Sequence, residues 1–223
     1  MTLEESGDSS RDVSLAKLFE RNEHVAGSSD IDIEGYADLI CNGGWTAPIS
    51  FGRPDPGIAE DYIDTLCETD VSQVADQDLD PSKTRALLRL LARCSAQEAS
   101  LASLLADIRN VSVRISDPTL RVYLNALCRF YVITDIEAWA PNLRSKTPPR
   151  KARVWHLCDP SLAAASLGCN AQGLLNGLNT MSYPFETCAS MHVRREEESI
   201  TIETRTASKL MLSSGSMTGA GLA

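Results

Sequence analysis

The strongest constraint on the fold is a rhythm between Asp80 and Leu157, where three short amphipathic periods precede two β-rich runs. The first places Ala86, Leu87, Leu90 and Leu91 on one face of a helix over about 82–93. Asp80-Pro81 opens it, since proline is tolerated where the first helical N–H has no partner. The second places Leu101, Leu104, Leu105 and Ile108 on a helix over about 97–108. The third opens at Ser116-Asp117-Pro118 and runs to about 129. Its Leu120, Tyr123, Leu124, Leu127 and Cys128 fall at i, i+3, i+4, i+7 and i+8, a full apolar stripe. Phe130 to Ile133 and Arg153 to Leu157 then read as strands joined by a basic loop over 141–153. Helical periods alone fit any three-helix bundle. A β-ribbon after the third helix is the order of a winged helix-turn-helix.

The flanks are also helical. Ser28 to Asp30 can cap a helix over about 31–42, with Ile33, Tyr36, Ala37 and Ile40 on one face and Gly43-Gly44 as its stop. Pro48, Pro54 and Pro56 make 46–57 a loop. Ile58, Tyr62, Leu66, Val71 and Val74 give a long amphipathic stretch over 58–75. Val13 to Phe19 reads as a short helix or strand, and Asp159-Pro160 opens a helix that Gly168 ends. The fold expected is mainly α with a small β component (α+β). Its parts are a helical segment over 1–80, a winged helix over 81–157, a short module over 158–187 and a tail over 188–223. The tail is rich in Ser, Thr and Gly without helical period, so disorder is expected there.

Charge divides the chain more sharply than its net −9 suggests. Residues 1–80 hold 19 acids and 4 bases, whereas residues 81–156 hold 13 bases and 5 acids. A basic middle beside an acidic start predicts either a polyanion partner or internal docking of the two regions. Seven scattered cysteines, with no CxxC pair and no histidine at metal-ligand spacing, predict reduced, packed thiols and neither metal nor cofactor. No apolar run reaches the length of a membrane span, and the acidic, polar start is unlike a signal peptide. A cytoplasmic protein without membrane contact is expected.

Two features suggest an interface. Arg121, Asn125 and Arg129 recur every four residues opposite the apolar stripe of the third helix. On a recognition helix, arginine reads guanine and asparagine reads adenine or holds phosphate. Arg144, Lys146, Arg150, Lys151 and Arg153 crowd the ribbon loop with no acid among them, the composition of a phosphate-contacting wing. The stripe is also the mark of an ordinary solvated helix face, and the loop that of a basic surface docking on the acidic first 80 residues or on a partner protein. Gly43-Gly44-Trp45 reads as a helix stop with a packed tryptophan, or as a hinge. Asp64, Glu68 and Asp70 read as a solvated acidic face.

Several spaced segments carry a resemblance. Met1 to Ser6 with Val13-Ser-Leu15, Cys41-Asn-Gly-Gly-Trp45, Tyr62 to Asp70, Leu91-Ala-Arg93, Tyr123-Leu-Asn-Ala-Leu127, Ala138-Trp139, Leu143-Arg-Ser145, Asp159-Pro-Ser-Leu-Ala163 and Phe185-Glu186 stand in the order found in one group. The chain resembles the C-terminal region, domain of unknown function 4143, of bacterial and archaeal AAA-type ATPases. The resemblance implies an ATPase core, a winged helix and a nuclease-like module. No GxxxxGK[ST] loop occurs, so nothing cradles the phosphates of ATP. No Glu-x-Asp or Glu-x-Lys strand follows Glu186, which would be the stranded acid of the nuclease-like module. The tail over 188–223 reads as out-of-frame translation on this view. The expectation is a non-catalytic fragment, not an enzyme, whose winged helix binds double-stranded DNA. The alternatives are an interaction module docking on an ATPase core or a homologous protein, and a pseudogene product without function.

Overall fold

A computed structural model describes residues 1–9, 13, 27–75, 78–111, 113–136, 152–177 and 179–190. The expected run Val13 to Phe19, the basic loop and the tail beyond 190 therefore lie wholly or largely outside the described residues.

Local chemistry sets the helix ends. Helix α1, Ile33–Asn42, is capped by Asp32, whose Oδ1 accepts the Gly35 N–H at 2.8 Å. The expected cap at Ser28 to Asp30 thus lies too early: only Asp32 sits three residues before an N–H it can reach. Gly43 ends α1 at φ 65°. The expected loop over 46–57 is wrong for its first half. Helix α2, Thr46–Phe51, holds Pro48 in its first turn, where a missing N–H costs nothing, and stops at Gly52 with φ 61°. Helix α3, Gly57–Thr65, runs through a π-turn, Leu66–Asp70, into α4, Val71–Ala75. The π-turn is closed by the Val71 N–H on the Leu66 carbonyl. Its wider winding keeps Leu66 and Val71, five residues apart, on one buried face.

The central elements are α5 (Pro81–Arg93), β1 (Glu98–Ala99), α6 (Leu101–Asn110), α7 (Asp117–Arg129), β2 (Ile133–Ile136) and β3 (Arg153–Leu157). The antiparallel sheet has the order β1-β3-β2, with Glu98 opposite Val154 and Ile133 opposite Leu157. Three helices, a short strand between the first two and two strands after the third follow one another in the order of a winged helix. Two expected boundaries move. Residues 98–99 leave the second helix for β1, and Ser100 caps α6 by accepting the Ser103 N–H at 3.0 Å. The first ribbon strand begins at Ile133, because Phe130 to Val132 close α7. There the Val132 N–H donates to the Leu127 carbonyl and the Tyr131 N–H to that of Cys128, a Schellman ending with Tyr131 at φ 57°.

The main core joins Leu87, Leu88 and Leu91 of α5, Leu104 and Ile108 of α6, and Leu120, Leu124 and Leu127 of α7 to Ile63, Leu66 and Val71. Trp155 of β3 is buried there and donates its Nε1–H to the Ala99 carbonyl at 3.0 Å. Helix α8, Pro160–Leu167, is apolar on every side and packs against α1, α3 and α5, as an internal helix must. Two helices absent from the expectation follow, α9 (Ala171–Asn176) and a stretch over 179–190. Leu174 and Met181 join Ala37, Ile40, Cys41 and Ala164 in a second apolar cluster. Residues Asp30–Cys188 form one compact unit. The second unit comprises Thr2–Ser29 and Ala189–Ala223. Within it Thr2 and Glu5 cap one another reciprocally, each side chain accepting the other's backbone N–H at 3.3 and 2.9 Å respectively.

Candidate functional site

The apolar stripe of α7 is buried at Leu120, Tyr123, Leu124 and Leu127, which forces the opposite face outward. Arg121, Asn125 and Arg129 are all exposed on that face, one helical turn apart. Arg121 Nε donates to Asp117 Oδ2 at 2.8 Å, four residues back. Both side chains are about half exposed, at 55% and 46%, so this pair contributes little to stability and is readily exchanged for another anion. Asp80 is tied to α7 from below, its N–H donating to the Tyr123 hydroxyl at 2.9 Å. The stripe thus stands on a helix fixed from the core side.

Of the expected wing, the flanking strands β2 and β3 lie among the described residues. Arg144, Lys146, Arg150 and Lys151 lie outside the described residues. Arg153 opens β3 and pairs across the ribbon with Asp135 of β2. It serves the base of the ribbon, which its place beside the other basic residues did not reveal.

Other cations of the basic middle do dock internally. Arg85 on α5 reaches Asp64 at 2.5 Å and Glu68 at 3.8 Å, and the Asp64 hydrogen bond raises its pKa further. Arg89 donates to the Ser166 carbonyl at 3.3 Å. The acidic face of Asp64 and Glu68 is therefore partnered rather than merely solvated. Lys83, Arg109 and Arg114 instead line a cleft of about 750 Å³ where α5, α6 and the start of α7 meet. Sequence reading missed this cluster, because its members come from three separate segments and none sits in a charge run.

Gly43-Gly44-Trp45 is a latch and not a hinge. The Gly44 N–H donates to Asp159 Oδ2 at 2.8 Å, and Trp45 Nε1–H donates to Ser161 Oγ at 2.9 Å. Asp159 Oδ1 meanwhile caps α8 through the Ser161 N–H at 2.9 Å. A Cβ on Gly43 would strike Asp159 and Ser161, so the close approach itself requires glycine. Trp45 also stacks obliquely on Tyr62, with ring centroids 5.3 Å apart.

Among the described residues Ser166 Oγ on α8 is buried without a hydrogen-bond partner, whereas the other buried polar side chains are paired. Thr187 donates to the Tyr183 carbonyl at 3.1 Å. Its oxygen is then left to accept from Ser95 at 3.1 Å and from His156 Nδ1 at 3.4 Å. Burial pushes the thiols of Cys41, Cys67 and Cys94 up to about 11 and that of Cys188 to about 12, which suppresses the reactive thiolate. Among the described residues no group of His, Cys, Asp and Glu has the makings of a metal site. Glu186 stands exposed on the last helix.

A family model described as a domain of unknown function (DUF8612) matches residues 33–173, from the start of α1 into α9. No curated protein and no solved structure matches the chain. The family match overturns the resemblance to the AAA-type ATPases and to the domain of unknown function 4143. The absent ATPase core, the disrupted nuclease-like module, the role of Glu186 in it and the out-of-frame reading of the tail all came from that resemblance and fall with it. The reason is visible in the structure. Gly-Gly-Trp, Asp-Pro-Ser-Leu-Ala and Tyr-Leu-Asn-Ala-Leu encode a helix stop, a helix cap and an amphipathic face, devices that any helical protein uses. DNA binding receives no support from the family either, since its description assigns no function.

Proposed function

From the premise that the chain belongs to the DUF8612 family, whose description leaves activity open, we propose a binding role: the winged helix contacts duplex DNA through the outer face of α7. The observation that carries this reading is the exposed stripe Arg121, Asn125 and Arg129 on the third helix of a winged helix. That helix is the one that enters the major groove in helix-turn-helix proteins. The reading is further supported by the division of charge. Arg85 and Arg89, though exposed, are engaged by groups of the flanking helices, whereas Arg121 pairs with an acid of its own helix. No role in the proposal falls to an ATPase partner.

The test is a fluorescence-anisotropy titration of a short duplex across a salt series. Each neutralised phosphate contributes about −0.9 to the log–log slope of affinity against salt. Arg121→Ala and Arg129→Ala are each expected to make the slope shallower by about one unit or less. Asn125→Ala is expected to cost about 1–3 kcal/mol at a preferred sequence and little elsewhere. Absence of binding at low salt, or binding indifferent to all three substitutions, refutes the reading and leaves an interaction with another protein as the use of this face.

A further inference from the structure

We propose that the cleft between α5, α6 and the start of α7 is a phosphate-binding site. Three cationic side chains converge on it from three elements: Lys83 from the first turn of α5, Arg109 from the last turn of α6, and Arg114 from the connection to α7. Among the described residues no acid lines it. Three like charges around one cleft repel one another unless an anion sits between them.

The cations differ in how they are held. Arg109 donates Nε and Nη2 to the Ile115 carbonyl at 3.1 and 3.0 Å. That fork pins the connection between α6 and α7 and fixes the guanidinium plane, with donors to spare for a second acceptor. Arg114 is exposed and has no hydrogen bond or ion pair among the described residues. Lys83 stands 3.8 Å from Asp80, with its side chain half-buried and that of Asp80 exposed. Asp80 is itself occupied in capping α5 through the Ser82 N–H at 2.9 Å. Asp117, the nearest acid on α7, is turned to Arg121. The hydroxyls of Ser116 and Thr119, 2.7 Å apart, complete the lining as further hydrogen-bonding groups.

This arrangement suits a multiply charged tetrahedral oxyanion better than a single carboxylate, because three cations from three elements line the one cleft. A cleft of about 750 Å³ is far larger than one phosphate. The cleft has room for a phosphate carried on a larger body, either a nucleic-acid backbone or a free organic phosphate. The backbone source rests on the function proposed above; the phosphate site does not.

The experiment follows backbone amide resonances of the full chain during titration with inorganic phosphate, with chloride holding ionic strength constant. Saturable shifts are expected among residues 113–119. In the double variant Lys83→Gln/Arg114→Gln the apparent affinity is expected to fall about tenfold, as for loss of a charged hydrogen bond. Both side chains are accessible to solvent, so the variant is expected to fold, which the unchanged remainder of the spectrum verifies. Absence of saturation, the same shifts with chloride alone, or an unaltered variant overturns the site. A duplex salt series on the same variant separates the two sources. A slope shallower by up to about two units assigns the site to a backbone phosphate. An unchanged slope, with phosphate binding intact in the native chain, assigns it to a free organic phosphate. Phosphate binding without any duplex binding refutes the function proposed above while upholding the site.

Discussion

At the scale of single residues, two backbone positions carry opposite lessons. Gly43 is glycine twice over: its φ is 65°, and Asp159 and Ser161 occupy the space of any side chain. Gly43→Ala is expected to destabilise the chain by about 2 kcal/mol or more, combining left-handed strain with a displaced helix cap. A urea midpoint equal to that of the parent would show that the latch yields without cost. Tyr131 is the reverse case, a tyrosine at φ 57° in the place where a Schellman ending favours glycine, with 82% of its surface exposed. Tyr131→Gly is expected to stabilise the fold by about 0.5–1 kcal/mol by relieving that strain. A loss of stability would mean that the exposed ring makes a contact worth more than the strain. The helix stop at Gly43 was legible in the sequence. Its contact with Asp159 was not, since the whole run from α2 to β3 lies between the two residues in sequence.

At the scale of elements, the legible parts were those with a complete apolar period. Helices α5 and α7 stand within a residue of their expected bounds, because proline caps and full stripes mark them, and strand β3 matches the expected run Arg153 to Leu157. Strand β1 was illegible: two residues carry no alternation, and only pairing with β3 makes them a strand. Helix α9 and the stretch over 179–190 were missed because their apolar residues are few and serve a cluster assembled from distant segments. That last helix is tied to the winged helix by Thr187. Thr187→Val keeps the shape but leaves the Ser95 hydroxyl and His156 Nδ1 without their acceptor. A loss of about 1–3 kcal/mol is expected, with early amide exchange over 179–188 in hydrogen-exchange measurements. Uniform exchange across the unit would contradict a local anchor. Of the candidate interface, the stripe on α7 was legible from its four-residue spacing. The cleft of Lys83, Arg109 and Arg114 was not, because only the packing of α5 against α6 and α7 brings them together.

At the scale of the molecule, the Asp30–Cys188 unit combines acidic flanking helices with a basic winged helix, and this division was readable from charge counts alone. The family was not readable in the same way, because short motifs that mark helix ends are shared by unrelated chains. Burial of thiols gives the unit a defined pH response. Cys41, Cys67 and Cys94 have folded pKa values raised from an ordinary 9.0 to about 11. Between those values the unfolded chain releases protons that the folded chain retains, so stability must fall as pH rises through that window. Thermal unfolding is expected to move to lower temperature from about pH 9 upward, with slow native-state alkylation of these thiols below it. A stability flat from neutral to strongly alkaline pH would mean that the thiols ionise freely in the folded state.

The central claim is that the outer face of α7 is the surface that meets duplex DNA. Photo-crosslinking tests it most directly, with a benzoylphenylalanine placed in turn at position 125 on α7 and at position 60 on the acidic helix α3. The account predicts salt-sensitive crosslinks to a labelled duplex from position 125 and none from position 60. Equal crosslinking from both positions, or none from position 125 while the duplex is bound, would contradict it.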